Sequence, residues 1–165
     1  MDAAGRPDEE APLDADLLPL ARFVGTWRGE GRGGYPTVAP FRFREEIRFW
    51  HRGTRVLLYA QRAWGLEDGT PRHGELGLLR PGPDGTVELG IAHPTRHAEV
   101  ATGRLVDGRI RTSSLAVVGT PSARDVRRIE RTIALDGDRL RYELRMAAGG
   151  QPLAVHLEAE LLRIR

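Results

Sequence analysis

The sequence predicts an all-β fold, a ten-stranded antiparallel up-and-down β-barrel with a short N-terminal helix. From Gly25 onward, ten short runs of β-type residues follow one another, separated by turn signals and without a sustained helical period. The connections are short, so each strand pairs with the next, and closing the sheet on itself removes its exposed edges. A barrel of about ten strands is wide enough to enclose a ligand cavity.

The elements follow in order along the chain. We expect residues 1–12 to form a disordered lead and residues 13–165 to form one domain. The stretch "DADLLPLARFVG" predicts the short helix, with Asp14 or Asp16 as its N-cap. The strands are expected at 25–34, 41–51, 54–64, 73–80, 86–93, 98–106, 109–118, 126–136, 138–147 and 152–164.

Turn residues and side-chain alternation support these boundaries. "HRG", "PGPDG" and "VDG" separate three pairs of strands, while "LDGD" predicts a tight hairpin and "AAGGQP" a looser one. In "LRYELRM", one face carries Leu140, Tyr142, Leu144 and Met146, with polar residues between them. This alternation is typical of a strand with one buried face.

Composition excludes several classes of protein. The chain has 165 residues and a net charge of +2, and its 25 basic residues are all arginine. They form no block, so the sequence does not indicate a nucleic-acid partner. The absence of cysteine excludes disulfides and thiolate ligands and fits a cytoplasmic location. The N-terminus has no apolar region typical of a signal peptide, and no apolar run is long enough to span a membrane.

The glycine-rich stretch "GTWRGEGRGGYPT" contains G-x-G-x-x-G as Gly29, Gly31 and Gly34. A dinucleotide fingerprint needs a strand before this motif and a helix after it. Here a predicted helix precedes it and "YPTVAPF", with two prolines, follows. We therefore expect the glycines to let the first strand curve sharply, with Trp27 closing one end of the barrel.

Several segments together resemble the nitrobindin family. They are "GTWRGEG", "YPT", "FRFREEIRFWHRG", "LLYAQRAW", "HGELGLLRP" and "LRYELRMAAGGQPLAVHLEAELLR", and the match runs from Leu17 to Arg163. The first has the form G-x-W-x-G-x-G, with Gly25, Trp27, Gly29 and Gly31.

The resemblance implies a barrel similar in shape to fatty-acid-binding proteins and lipocalins, carrying one ferric haem b per chain at its mouth. It also implies isomerisation of peroxynitrite to nitrate, which protects tyrosine from nitration, and binding of nitric oxide. It leaves a homodimer open. Two other functions stay open as well: carriage of a small apolar ligand, and sensing or storage of nitric oxide without turnover.

His156 is the axial haem ligand that the resemblance implies, because His156-Leu157-Glu158-Ala159-Glu160-Leu161 fits the family pattern H-L-x-A-x-L. Its role would be both catalytic and metal-binding. Strict alternation along "PLAVHLEAELL" places this histidine opposite the apolar row. A β-bulge, or a haem at a polar rim, would reconcile the two observations.

His73 and His93 are candidates for the distal side of the haem; the alternative is that both are ordinary rim residues. His73 begins one strand and His93 ends the next, so we expect the two at one rim; His73 and Glu75 share a strand face and suit a hydrogen-bonded pair. His93 and His97, four residues apart, would be separated by about 13 Å on a strand, too far to share a metal ion. We expect His51, beside the "HRG" turn, to be solvated.

Three further residues are candidates for the haem site, and for two of them, Thr37 and Arg124, the contact is implied by the resemblance. Thr37 in "YPT" matches a threonine of the family; its alternative role is that of a turn residue. Arg124 in "SARDV" stands where the family usually has a lysine, and it could pair with a propionate or be a solvated loop residue. Met146 is expected to line the cavity rather than to bind iron.

Overall fold

The computed structural model describes residues 11–164 and shows a closed barrel of ten antiparallel strands. Each strand pairs with its neighbours in sequence, and β1 pairs with β10. The predicted fold is confirmed. The strands are β1 (Gly25–Tyr35), β2 (Val38–Trp50), β3 (Leu57–Gly65), β4 (Pro71–Pro81), β5 (Thr86–Ala92), β6 (His97–Val106), β7 (Arg109–Gly119), β8 (Val126–Asp136), β9 (Arg139–Ala148) and β10 (Ala154–Ile164).

The expected disordered lead falls mainly on residues 1–10, which lie outside the described residues. The predicted helix is a 3-10 helix, Ala15–Phe23, and a second short 3-10 turn, Pro83–Gly85, joins β4 to β5. Asp14 is the N-cap, and its side chain accepts a hydrogen bond from the Asp16 backbone N–H at 2.9 Å. Within residues 11–164, no helix has the length and apolar character needed to cross a membrane.

One end of the barrel is closed by the 3-10 helix and Trp27. Leu17, Leu20 and Phe23 of the helix are buried, and Trp27 is fully buried beside them. The indole Nε1–H of Trp27 donates to the Phe23 carbonyl at 2.9 Å, and the Arg163 guanidinium lies 4.0 Å from the ring centroid. The expectation that Trp27 closes one end is therefore confirmed.

The glycines of β1 occupy positions where the barrel wall has no room for a side chain. A Cβ at Gly29 would lie 2.7 Å from the Leu161 Cα, and one at Gly31 would lie 2.7 Å from the Glu158 carbonyl oxygen. These atoms belong to the backbone of β10, which pairs directly with β1. The glycine stretch thus allows close approach of two strands, and it serves no phosphate-binding loop.

The opposite end of the barrel, called the mouth here, is where β1 ends and β10 begins. Strands alternate in direction, so every even strand begins at the mouth and every odd strand ends there. The predicted site residues all lie in this region, although they are scattered along the sequence: Thr37, His73, His93, Arg124, Met146 and His156.

Between the closed end and the mouth, the barrel interior contains a polar layer. Its members come from seven strands or their ends and hydrogen bond to one another: Glu45, Tyr59, Gln61, Glu75, His93, Glu99, Arg131 and Tyr142. An interior cavity of about 20 Å³ lies against this layer, room for roughly one water molecule. The large open space, about 1510 Å³, lies instead at the mouth, where Gly33, Phe41 and His156 are among the residues that line it.

Candidate functional site

His156 lies at a β-bulge in β10. Val155 pairs with Arg145 and Leu157 pairs with Leu144, so His156 is the extra residue between two consecutive pairs. The bulge ends the alternation that a regular strand would impose, and Val155 is exposed while Leu157 packs against the core. This confirms the bulge as the reason why His156 need not face away from the apolar row.

Three neighbours hold the His156 ring. Nδ1 lies 3.0 Å from the Gly34 carbonyl oxygen. The rings of Tyr35 and Phe41 make edge contacts with it, at centroid distances of 5.7 and 6.3 Å. A carbonyl oxygen only accepts, so Nδ1 carries the proton, and the neutral ring keeps its lone pair on Nε2.

Burial lowers the pKa of His156 below its usual value, and the nearby His73 imidazole and Arg124 guanidinium lower it further against the effect of the Gly34 hydrogen bond. Near neutral pH the imidazole is therefore unprotonated. This is the form, with its second nitrogen hydrogen bonded to a carbonyl, in which histidine binds a metal ion.

The wall beside His156 is aromatic and lacks a side chain at Gly33. A Cβ at Gly33 would lie 2.8 Å from both Phe41 Cε1 and Leu157 Cδ2. Gly33, Gly34, Phe41 and His156 line an open depression at the mouth. Glycine at position 33 thus leaves room for the side chains of Phe41 and Leu157 next to the histidine.

The other predicted contacts differ in their exposure. Met146, half-buried on β9, pairs with Ala154 of β10, and its carbonyl accepts a hydrogen bond from the Tyr35 hydroxyl at 3.1 Å. Thr37 is exposed in the turn between β1 and β2, and Arg124 is exposed in the segment before β8. Sequence reasoning missed Tyr35, although the motif "YPT" contains it.

His73 and His93 are neighbours at the mouth, as expected, with ring centroids 6.2 Å apart. The expected pair of His73 and Glu75 is also present, with Nε2 3.1 Å from Oε1. The expected separation of His93 and His97 is wrong: their rings stack at 4.2 Å. A tight turn, in which Arg96 has a φ of 70°, folds the chain back and brings the rings together.

Both ring nitrogens of His93 face carboxylates, with Nδ1 3.2 Å from Glu75 and Nε2 3.3 Å from Glu99. Both nitrogens must then donate, so His93 is an imidazolium. Burial opposes this charge, but the hydrogen bonds to the two carboxylates outweigh it and raise the pKa of His93. Arg131 binds the same two carboxylates, at 3.2 and 2.5 Å, which gives a buried quartet with no net charge.

Ligand atoms of His73, Glu75 and His93 lie within 4.8 Å of one another, a spacing that a metal ion could bridge. The imidazolium of His93 offers no lone pair, however, and the guanidinium of Arg131 already occupies Glu75. We therefore interpret this cluster as an ion-pair network.

Glu45 is a buried carboxyl group outside the network of Glu75 and Glu99, and sequence reasoning missed it. It is fully buried and accepts hydrogen bonds from the Gln61 amide and from the Tyr142 hydroxyl, the latter at 3.1 Å. Its Oε1 has no hydrogen-bond partner among the described residues. Burial raises the pKa of Glu45 to about 7, against the effect of these two hydrogen bonds.

Comparison with known proteins places the chain in a family. Residues 16–163 match the family described as the THAP4-like, heme-binding beta-barrel domain. The chain belongs to the nitrobindin family. Its similarity to solved structures agrees, because the crystal structure of Rv2717c from M. tuberculosis superposes with a TM-score of 0.88 and 38% identity, covering 93% of this chain and 100% of that one.

Curated nitrobindin relatives extend over nearly the whole chain. A protein of Mycolicibacterium paratuberculosis named peroxynitrite isomerase 1 is 43% identical, covering 93% of this chain and 98% of its own length. A peroxynitrite isomerase of Nocardia farcinica is 42% identical, with 99% of both chains covered. An Arabidopsis thaliana protein named peroxynitrite isomerase Rv2717c is 42% identical, covering 94% of this chain and 93% of its own length.

The residues at this nitrobindin mouth suit a haem group. One neutral, oriented imidazole with an available Nε2 is the donor that haem iron takes, and flat aromatic and glycine surfaces beside it suit a planar ligand. The chemistry of the donor set and the absent side chain at Gly33 thus both fit haem.

Proposed function

We propose that the protein is a haem-dependent peroxynitrite isomerase that holds one ferric haem b per chain through His156. The observation that carries the proposal is the hydrogen bond from His156 Nδ1 to the Gly34 carbonyl at a β-bulge. This arrangement fixes the tautomer and the ring together and leaves Nε2 for iron. The family match and the relatives named peroxynitrite isomerase support the same reaction.

When bound, ferric haem supplies a Lewis acid at which peroxynitrite can rearrange to nitrate. The residues of the chain bind and orient the group. His156 would hold the group through Nε2, with its ring held by Tyr35 and Phe41, and Met146 would line the adjoining wall. Arg124 would pair with a carboxylate of the group, and Thr37 would contact it from the β1–β2 turn.

The proposal extends to nitric oxide as a second small ligand, to protection of tyrosine from nitration, and to action in the cytoplasm. A homodimer is compatible with the proposal and is not required by it, because every residue of the site comes from one chain.

The two alternative functions fit less well or share the same site. A carrier of apolar ligands would use the same open depression at the mouth, but the floor below it is the polar layer, in which Glu75, Glu99 and Arg131 are buried and charged, and such a floor suits an apolar ligand poorly. A nitric oxide store would use the same haem and the same His156, so only a measurement of turnover distinguishes it from the isomerase.

The test is His156→Ala, compared with His51→Ala as a control on a histidine away from the mouth. The haem-reconstituted parent should show a Soret band that nitric oxide shifts, and it should protect free tyrosine from peroxynitrite. His156→Ala should lose the axial bond, the normal Soret band and the protection while keeping its β-sheet circular dichroism. His51→Ala should behave as the parent does.

Two results would contradict the proposal. An unchanged Soret band and full protection in His156→Ala would end the assignment of the ligand. A normal Soret band in the parent without protection of tyrosine would favour the nitric oxide store.

A further inference from the structure

We propose that His73 is a catalytic base at the mouth, which takes the proton of a weakly acidic ligand and then holds the resulting anion through its N–H. Glu75 is the positioning residue for this imidazole. The inference rests on the proposed function, since the ligand is the anion that reacts at the haem.

The hydrogen bond to Glu75 defines what each nitrogen of His73 can do. Nε2 lies 3.1 Å from Glu75 Oε1, and an ionised carboxylate only accepts, so Nε2 carries a proton. In the neutral ring Nδ1 then has the lone pair and accepts a proton. This is the arrangement by which a carboxylate orients a histidine base in other enzymes.

Glu75 is held in place and ionised by groups from three other strands or their ends. Arg131 lies 3.2 Å from both carboxylate oxygens, the Tyr59 hydroxyl donates at 3.2 Å, and His93 Nδ1 lies 3.2 Å away. Burial opposes ionisation, but Arg131 and the two histidines outweigh it and hold the pKa of Glu75 well below its usual range. The carboxylate therefore cannot take the proton itself near neutral pH.

His73 lies across the mouth from His156. His73 is near the start of β4 and His156 near the start of β10, so both lie at the mouth. On the shorter path around the barrel wall, three strands (β1, β2 and β3) separate β4 from β10. The His73 imidazole acts electrostatically on His156 and lowers its pKa, and its own side chain is 27% exposed. A small ligand held at this mouth would therefore meet the partly exposed His73 imidazole.

The charged groups around His73 are on several elements. Glu75 is on its own strand, His93 follows β5, and Arg131 reaches Glu75 from β8. His97 at the start of β6 and His156 on β10 interact with His73 electrostatically. Among these, His93 is already protonated and Arg131 is a permanent cation. His97 is buried, its Nδ1 lies 2.9 Å from the Thr95 hydroxyl and its ring is stacked on His93. Among the described groups on this side of the mouth, His73 is therefore the partly exposed one whose ring nitrogen is available.

The chemical step is a proton transfer. The O–H bond of peroxynitrous acid breaks, an N–H bond forms at His73 Nδ1, and the peroxynitrite anion stays beside the new imidazolium. No electron is transferred in this step. When nitrate has formed and leaves, Nδ1 returns the proton to water and the base is restored.

Cyanide provides a test that does not depend on isomerase activity. Hydrogen cyanide is protonated at pH 7, and a ferric haem takes it up as the anion. In the haem-loaded parent the proton should move to His73, so that cyanide uptake releases almost no proton into weakly buffered solution. In His73→Leu and in His73→Gln, which have no base at this position, about one proton per cyanide should appear, and cyanide should dissociate more readily.

The controls separate positioning from structure. His51→Leu should release no proton, like the parent. Glu75→Gln, provided that it keeps its circular dichroism, should release an intermediate amount because its imidazole is no longer oriented by a carboxylate. If one His73 variant does not fold, the other decides.

If the parent and the His73 variants all show a Soret band and release the same number of protons per cyanide, whether zero or one, the inference is overturned. Absence of a Soret band in the parent would instead overturn the proposed function, and the role of His73 with it. The two failures are therefore distinguished by the spectrum recorded before cyanide is added.

Discussion

Histidines in this barrel take different roles because their neighbours differ. His93 faces a carboxylate at each nitrogen and is a cation, whereas His156 faces one carbonyl and keeps a lone pair. His97, stacked on His93, has its pKa lowered by burial and by the neighbouring positive charge. The residue type alone decides none of these states; the acceptor opposite each nitrogen does.

Trp27 gives the prediction at the residue scale. Trp27→Ala should lower the free energy of unfolding by about 3–5 kcal/mol, because it removes a fully buried aromatic ring and leaves a cavity. Haem affinity should be unchanged in the folded protein, since Gly33 beside the proposed haem site is six residues further along β1, roughly 20 Å away. Thermal melting and haem titration test the two statements, and loss of haem without a lower melting temperature would place Trp27 in the site.

In strand β1, Gly29 lies against the backbone of β10, whereas Gly34 has room where a side chain would be. Gly29→Ala should destabilise the fold by about 1–3 kcal/mol or more, because its Cβ would press against the β10 backbone near Leu161, which cannot move without separating the strands. Gly34→Ala is the matched control, since its nearest neighbour is Pro40 at 3.6 Å. Denaturant unfolding of both variants measures the difference, and equal stabilities would refute the close-approach argument.

At the level of elements, turn residues and period-2 alternation were sufficient to predict all ten strands and their pairing order. They were insufficient for the bulge at His156, because a bulge is defined by the register against β9 rather than by β10 alone. The contact of His93 with His97 was missed for a similar reason. The sequence pattern implied an extended chain between them, whereas the structure has a tight turn there. The axial position of His156 was suggested by family resemblance and not by periodicity.

The molecule as a whole is organised along the barrel axis, from an apolar closed end through the polar layer to the mouth. The polar layer could not be predicted from sequence, because its partners are brought together only when distant strands close the barrel: Arg131 meets Glu75 and Glu99, 56 and 32 residues away. In the sequence, a carboxylic acid at an inward-facing strand position only breaks the apolar alternation. Its role becomes clear when the partner on another strand is known.

The polar layer also makes stability depend on pH in two opposite ways. Glu75 and Glu99 have lowered pKa values in the folded state, so their contribution is present above their ordinary pKa and is lost as the pH falls below it. Glu45 has a pKa raised to about 7, so the folded protein holds a proton there that the unfolded chain has already released. The contribution of Glu45 to stability therefore falls as the pH rises from about 4.5 to about 7, and it stays lower above that range.

Glu45→Gln should remove this loss, because the amide is neutral at every pH and suits the same two hydrogen bonds. The unfolding free energy of Glu45→Gln minus that of the parent should be about 2–3 kcal/mol larger at pH 8 than at pH 5. This is the free energy that corresponds to the raised pKa of Glu45 over that pH range. Glu46→Gln is the adjacent control: it loses the ion pairs with Arg28 and Arg62, and its pKa is lowered, so no gain should appear at pH 8. Urea unfolding of the haem-free proteins at both pH values measures this. A parallel pH dependence of Glu45→Gln and the parent would show that Glu45 does not carry a proton at neutral pH.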